Sequence, residues 1–138
     1  MIRTALLFLA ASAPAAAQVA PITFDAGKLL PIPPGQWTYA ATQTGSEARY
    51  GGHLLLRCER QTRSVIIARL GAPAAPLTIV TDMMTKALPP SGRVAANDPV
   101  LDAIAFSRGR FLVVGGLSSV LAVPSWPEPA RAIEDCRN

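Results

Sequence analysis

Cys58 and Cys136 are the only two cysteines in a chain of 138 residues, the first near its middle and the second almost at its end. Joined, they would tie the last turn of the chain to its centre, and few topologies satisfy that closure. Whether they join depends on the compartment. Residues 1–17 carry one positive charge at Arg3, an apolar run from Ala5 to Ala11, and small residues at Ala15 and Ala17. That is the anatomy of a secretory signal peptide, cleaved after Ala17, and exported cysteines in even number normally pair. The alternative, an uncleaved anchor, would have to cross a bilayer with about half of the roughly 20 apolar residues required. A Cys58–Cys136 bond would be worth at most about 4.5 kcal/mol in the chain-entropy view. A redox-active pair is the other reading, but there is no Cys-x-x-Cys spacing and no helix start at Cys58 to lower a thiol pKa.

The chain is 50% hydrophobic and 16% charged, with a net charge of +4, which suits one folded domain and excludes a disordered chain. No stretch after the signal approaches a transmembrane length, so the mature chain is expected to be soluble, in the periplasm or secreted. No Cys follows the cleavage point to suggest a lipid anchor. Residues 18–35 hold Pro21, Pro31, Pro33 and Pro34, which reads as an extended lead-in without helix or ladder. Residues 36–138 then form a single β-rich domain.

Alternation of apolar and polar positions predicts a strand at Trp37–Thr42 and a partner at Ala48–Tyr50 across Thr44-Gly45-Ser46. The next strand is His53–Cys58, with Leu54, Leu56 and Cys58 on one face. It pairs with Ser64–Leu70, whose β-branched run Val65, Ile66, Ile67 predicts a central strand buried on both faces. Leu77–Thr81 reads as a further strand, and Met83–Leu88 is ambiguous. Asp98-Pro99 is a helix start, with Val100, Leu101, Ile104 and Ala105 on one face and a stop at Gly109; a strand over Ala103–Ser107 competes with it. Phe111–Val114 and Ser119–Val123 flank Gly115-Gly116 as a hairpin. Pro127 opens a C-terminal helix with Pro129, Ala130, Ile133 and Cys136 at helical spacing. The fold class is mainly β, a small β-sandwich-like domain with a short helix near residue 100 and a C-terminal helix.

Chemistry is sparsely represented. His53 is the one histidine, and with both cysteines committed it makes no ordinary metal site. Neither a Gly-x-Ser-x-Gly turn nor a phosphate-binding glycine motif occurs, so no catalytic residue, metal or cofactor is assigned. His53 reads as a structural residue at a strand start. Among the carboxylates, Asp98 suits a cap, Glu128 a helix start, and Glu134-Asp135 a solvated helix end. The one local concentration of charge is Arg57, Arg60, Arg63 and Arg69, offset only by Glu59. Eleven of the 13 basic residues are arginine, which favours fork-shaped contacts to carboxylate or phosphate. Arg57, Arg60 and Arg63 are the candidate binding residues, for an envelope protein or an acidic envelope component. A solvated hairpin tip is the commoner fate of such a charge run and competes with that reading. Nucleic acid is disfavoured, since no aromatics interleave with the arginines of an exported chain.

The signal peptide, the Trp37 strand, Leu-Leu-Leu-Arg-Cys at Leu54–Cys58, the Phe111–Val123 hairpin and the terminal Ile-Glu-Asp-Cys resemble small exported β-rich bacterial proteins. They are also similar to the invasion-associated locus B type of periplasmic β-sandwich. The resemblance implies compartment and fold and carries no site residues. The function expected is that of a non-catalytic binding protein of the bacterial envelope. An inhibitor of a cell-wall hydrolase, or an envelope hydrolase with Ser or carboxylate chemistry, is the alternative. Intact mass of protein recovered from the periplasm or medium should begin at Gln18; a mass retaining Met1 refutes export by cleavage.

Overall fold

The computed structural model describes residues 22–138, so the signal peptide expected at residues 1–17 lies outside the described residues. Two antiparallel sheets face each other. Sheet A has the order β1-β2-β3-β4-β7, and sheet B the order β6-β5-β8-β9. The strands of sheet A are β1 (Trp37–Ala41), β2 (Gly45–Tyr50), β3 (Leu54–Glu59), β4 (Ser64–Arg69) and β7 (Arg93–Ala95). Sheet B is built from β5 (Thr78–Val80), β6 (Thr85–Ala87), β8 (Arg110–Gly115) and β9 (Leu117–Pro124). Helix α2 (Pro99–Phe106) leads from β7 to β8, and α3 (Pro127–Arg137) ends the chain. The expected β-sandwich-like fold with two helices is therefore what the chain forms.

Parity along the strands decides what the core receives. Leu54, Leu56 and Cys58 of β3, Val65 and Ile67 of β4, and Trp37 of β1 face Ile79, Phe111, Val113 and Val123 of sheet B in one apolar cluster. Trp37 ties the layers: its indole N–H donates to the Pro124 carbonyl at 2.7 Å, and its ring packs 6.5 Å from that of Phe111. The hairpin β8–β9 turns where expected, with Gly115 at φ 109 and Gly116 at φ 77, conformations that a side chain would strain. Asp98 caps α2 by accepting from the Val100 amide at 2.9 Å. Val100, Leu101 and Ile104 of that helix enter the core, so the helix prevails over the competing strand.

Several expectations change. The lead-in runs extended only in part, because Thr23 caps one helical turn, α1 (Phe24–Gly27), in the proline-free stretch before Pro31. Ile22, Phe24, Leu30 and Ile32 lie against a second cluster of Val80, Leu112 and Ala122 on the outer face of sheet B. Gly27 permits that approach, since a Cβ there would overlap the Leu112 side chain. Strand β4 is not buried on both faces; Ile66 is half-buried because it sits on the outer side of sheet A. Strand β2 begins at Gly45, inside the expected turn. The ambiguous Met83–Leu88 contains β6, and β7 was unforeseen, its three residues offering only Val94 to the core. Helix α2 stops before Gly109, and α3 buries Ala132 where Ala130 was expected.

Cys58 and Cys136 are bonded, with Cα atoms 5.5 Å apart and 78 residues between them in sequence. Both are fully enclosed, and α3 thereby lies along the inner side of sheet A, with Ala132 and Ile133 in the core. Replacing either cysteine by serine should lower the unfolding free energy by about 2 to 5 kcal/mol in denaturant titrations. Quantitative labelling of two free thiols in native protein would contradict the bond.

Candidate functional site

The antiparallel register sorts the arginines. On the outer side of sheet A, Glu47 of β2 stands opposite Arg57 of β3, Arg57 opposite Ile66 of β4, and Ile66 opposite Arg93 of β7. One row away, Arg49 stands opposite Leu55, and Leu55 opposite Ala68. Leu55 belongs to neither apolar cluster, yet is only 6% exposed. Arginine stems cover apolar surface while their heads stay wet, which suits its place between the Arg49 and Arg57 positions. Arg57 and Arg49 share Glu47 at 3.7 and 3.8 Å. One carboxylate between two guanidinium groups leaves a positive surplus, and exposed pairs of this length are worth little. Arg93 donates to Ser64 Oγ at 2.5 Å and to Thr62 Oγ1 at 3.1 Å, which holds it beside the β3–β4 turn.

The three predicted arginines separate. Arg57 is on the outer face. Arg60 turns toward α3, where its Nε donates to the Asp135 carbonyl at 3.3 Å and its guanidinium pairs with the Asp135 carboxylate at 3.8 Å. Arg63, exposed at a positive φ of 45, borders a shallow cleft of about 370 Å³ shared with Asn97 and Arg137. Arg69 lies at the opposite end of β4, paired with Leu54 and facing inward. Sequence reasoning missed Arg49 and Arg93. Arg49 carried a signal, since it falls on the same parity as Glu47, whereas Arg93 entered only through the unforeseen β7.

Asp135 departs from its expected role as a solvated helix end. The Tyr39 hydroxyl donates to its carboxylate, and that hydrogen bond holds its pKa below the ordinary carboxylate value against the opposing effect of burial, with Arg60 and Arg131 adding to the lowering. Arg131 also lies over the Tyr39 ring, 3.9 Å from its centroid. Elsewhere, carboxylates are taken up singly, Asp82 by Arg108, Asp98 by Lys86 and Asp102 by Arg137. His53 sits in the turn before β3, its ring 6.1 Å from that of Tyr50. Among the described residues no three His, Cys, Asp or Glu side chains gather as a metal site, and no described helix is long and apolar enough to cross a membrane.

These features define a two-sheet, disulfide-bonded β domain with one arginine-bearing outer face. Compared with protein-family models, curated proteins and solved structures, the chain matches none.

The Tyr39–Asp135 bond makes a pH prediction. A carboxylate whose folded pKa is depressed stabilises fully above its unfolded pKa of about 4 and loses that stabilisation as pH falls through the folded value. Tyr39→Phe should cost about 1 to 2 kcal/mol at neutral pH, with the difference from the parent shrinking as the acid limb is entered. A pH-independent difference in denaturant midpoints would show that the hydroxyl acts through packing alone.

Proposed function

We propose that the protein is an exported, non-catalytic binding protein of the bacterial envelope that presents the outer face of sheet A to an acidic partner. The observation that carries this reading is the grouping of Arg49, Arg57 and Arg93 by strand register on one sheet face, where the Arg49 and Arg57 side chains are each 43% exposed. Sheet B has its outer face packed by Ile22, Phe24, Leu30 and Ile32 of its own chain, whereas α3 packs on the inner side of sheet A. Guanidinium groups favour planar anionic partners through paired N–H donors, and their stems supply apolar contact around Leu55 and Ile66. Arg63 extends the positive surface at the β3–β4 turn, and Arg60 serves mainly as a tie to α3. The disulfide is in keeping with an oxidising compartment.

Replacing Arg57, Arg60 and Arg63 by Gln should lower the denaturation midpoint only slightly, since each is exposed or half-exposed, surface changes stay within about 0.5 kcal/mol each, and the exposed Arg60–Asp135 pair is worth at most about 1 kcal/mol. Retention of the mature protein on a polyglutamate resin should fall to lower salt. Recovery of its partner from envelope extract should weaken by roughly tenfold or more, a charge-assisted contact's worth. Adding Arg49→Gln should deepen the loss, and His53→Ala should leave it untouched. Equal retention of the quadruple variant and the parent would reduce this face to a solvated surface.

A further inference from the structure

At the end of the sandwich remote from the β3–β4 turn, a cleft of about 520 Å³ opens between the Pro31–Pro34 segment and the β8–β9 hairpin. Its apolar walls are the prolines, Ile32, Val120 and the 45% exposed Leu117; its polar groups are Arg69, His53 and Ser119. Among the described residues no Asp or Glu lines it. The proline wall is held in place, since the Tyr50 hydroxyl donates to the Pro33 carbonyl at 2.8 Å. A site fixed before binding loses little ordering entropy to its ligand.

Arg69 is the unusual member. It faces the interior from the last position of β4 and crosses to sheet B, donating from Nη1 to the Gly115 carbonyl at 2.8 Å and from Nη2 to Ser119 Oγ at 3.3 Å. Those bonds fix the guanidinium and use two of its five N–H donors. No carboxylate of the described residues pairs with it, whereas half-buried Lys86 has Asp98 and Arg137 has Asp102 and Glu134; Arg110, likewise without a carboxylate among the described residues, is spent on the Gly27 and Leu30 carbonyls away from this cleft. Burial lowers its pKa, so the group carries a desolvation cost that no anion among the described residues offsets. Such a guanidinium keeps its charge and gains from an anion brought to it.

We propose that this cleft binds an organic carboxylate, the charged end on Arg69 with His53 and Ser119 beside it, and the apolar body against the prolines and Leu117. One cation matches one monoanion, and the planar fork matches a carboxylate better than the more highly charged tetrahedral phosphate. The site is separate from the arginine face of sheet A and stands or falls independently of it.

His53 is the single histidine of the chain, so its ring resonances report on this cleft without overlap. Benzoate, titrated into the mature protein at constant pH and ionic strength, should shift them saturably. Benzamide, of the same shape but neutral, should bind at least about tenfold more weakly, as should benzoate to Arg69→Lys, which keeps the charge and loses the fork. Ser119→Ala should weaken benzoate through the loosened guanidinium, and Arg57→Gln should have no effect. Equal binding of benzoate and benzamide, or no saturable shift with millimolar benzoate, would overturn the proposal. Inorganic phosphate binding as tightly as benzoate would overturn it too. If Arg69→Lys fails to fold, the benzamide comparison on the parent and the Ser119→Ala titration decide the matter.

Discussion

The Cys58–Cys136 bond is the constraint on which the remaining architecture depends. Sheet A has five strands and sheet B four, two of them only three residues long, so part of the inner side of sheet A needs another cover. Helix α3 supplies it, but a helix of 11 residues with two prolines in its first turn has little stability of its own. The covalent link to β3 fixes its last turn against the sheet. Ala132 and Ile133 then enter the core, and Asp135 reaches Tyr39 on β1 and Arg60 beyond the end of β3. One bond thereby sets the position of a helix whose Asp135 ties β1 to the β3–β4 turn.

The second tie works by geometry rather than covalency. Trp37 opens β1 and delivers its indole N–H to the carbonyl of Pro124, where β9 ends. Because Pro124 has no N–H of its own to pair, the strand stops there while its carbonyl remains free to accept. The sandwich is thus joined through β3 and α3 at the disulfide and through β1 and β9 at the indole. Between them, packing fills the interior with Phe111, Leu54, Leu56 and Ile79.

What the sequence made legible follows from how local the signal is. The Asp98-Pro99 cap, the Gly115-Gly116 turn and the cysteine pair are each determined by residue chemistry within a few positions or by parity, and all appear as expected. Strand β7 offers one buried valine in three residues, and its pairing depends on β4, some 30 positions earlier. No local pattern encodes that. The helical turn at Phe24–Gly27 was hidden by the prolines around it and depends on the outer face of sheet B to receive Phe24. The arginines show the same limit more sharply. Arg57, Arg60, Arg63 and Arg69 are neighbours in sequence, yet alternation and the turn send them to a sheet face, a helix contact, a turn and the far end of the sandwich.

That dispersal bears on the partner proposed for the outer face of sheet A. A β-sandwich face with Leu55, Ile66 and Ala68 along adjacent strands would, if otherwise apolar, invite a second sheet by hydrophobic contact. Arg49, Arg57 and Arg93 flank those residues, and an apolar surface pressed against them would strip water from three guanidinium groups without replacing its hydrogen bonds. An acidic surface replaces them directly. The short edge strand β7 also lacks the length to template a further strand. On the proposed function, the same residues that keep the face solvated in the free protein would favour partners that bring carboxylates or phosphates.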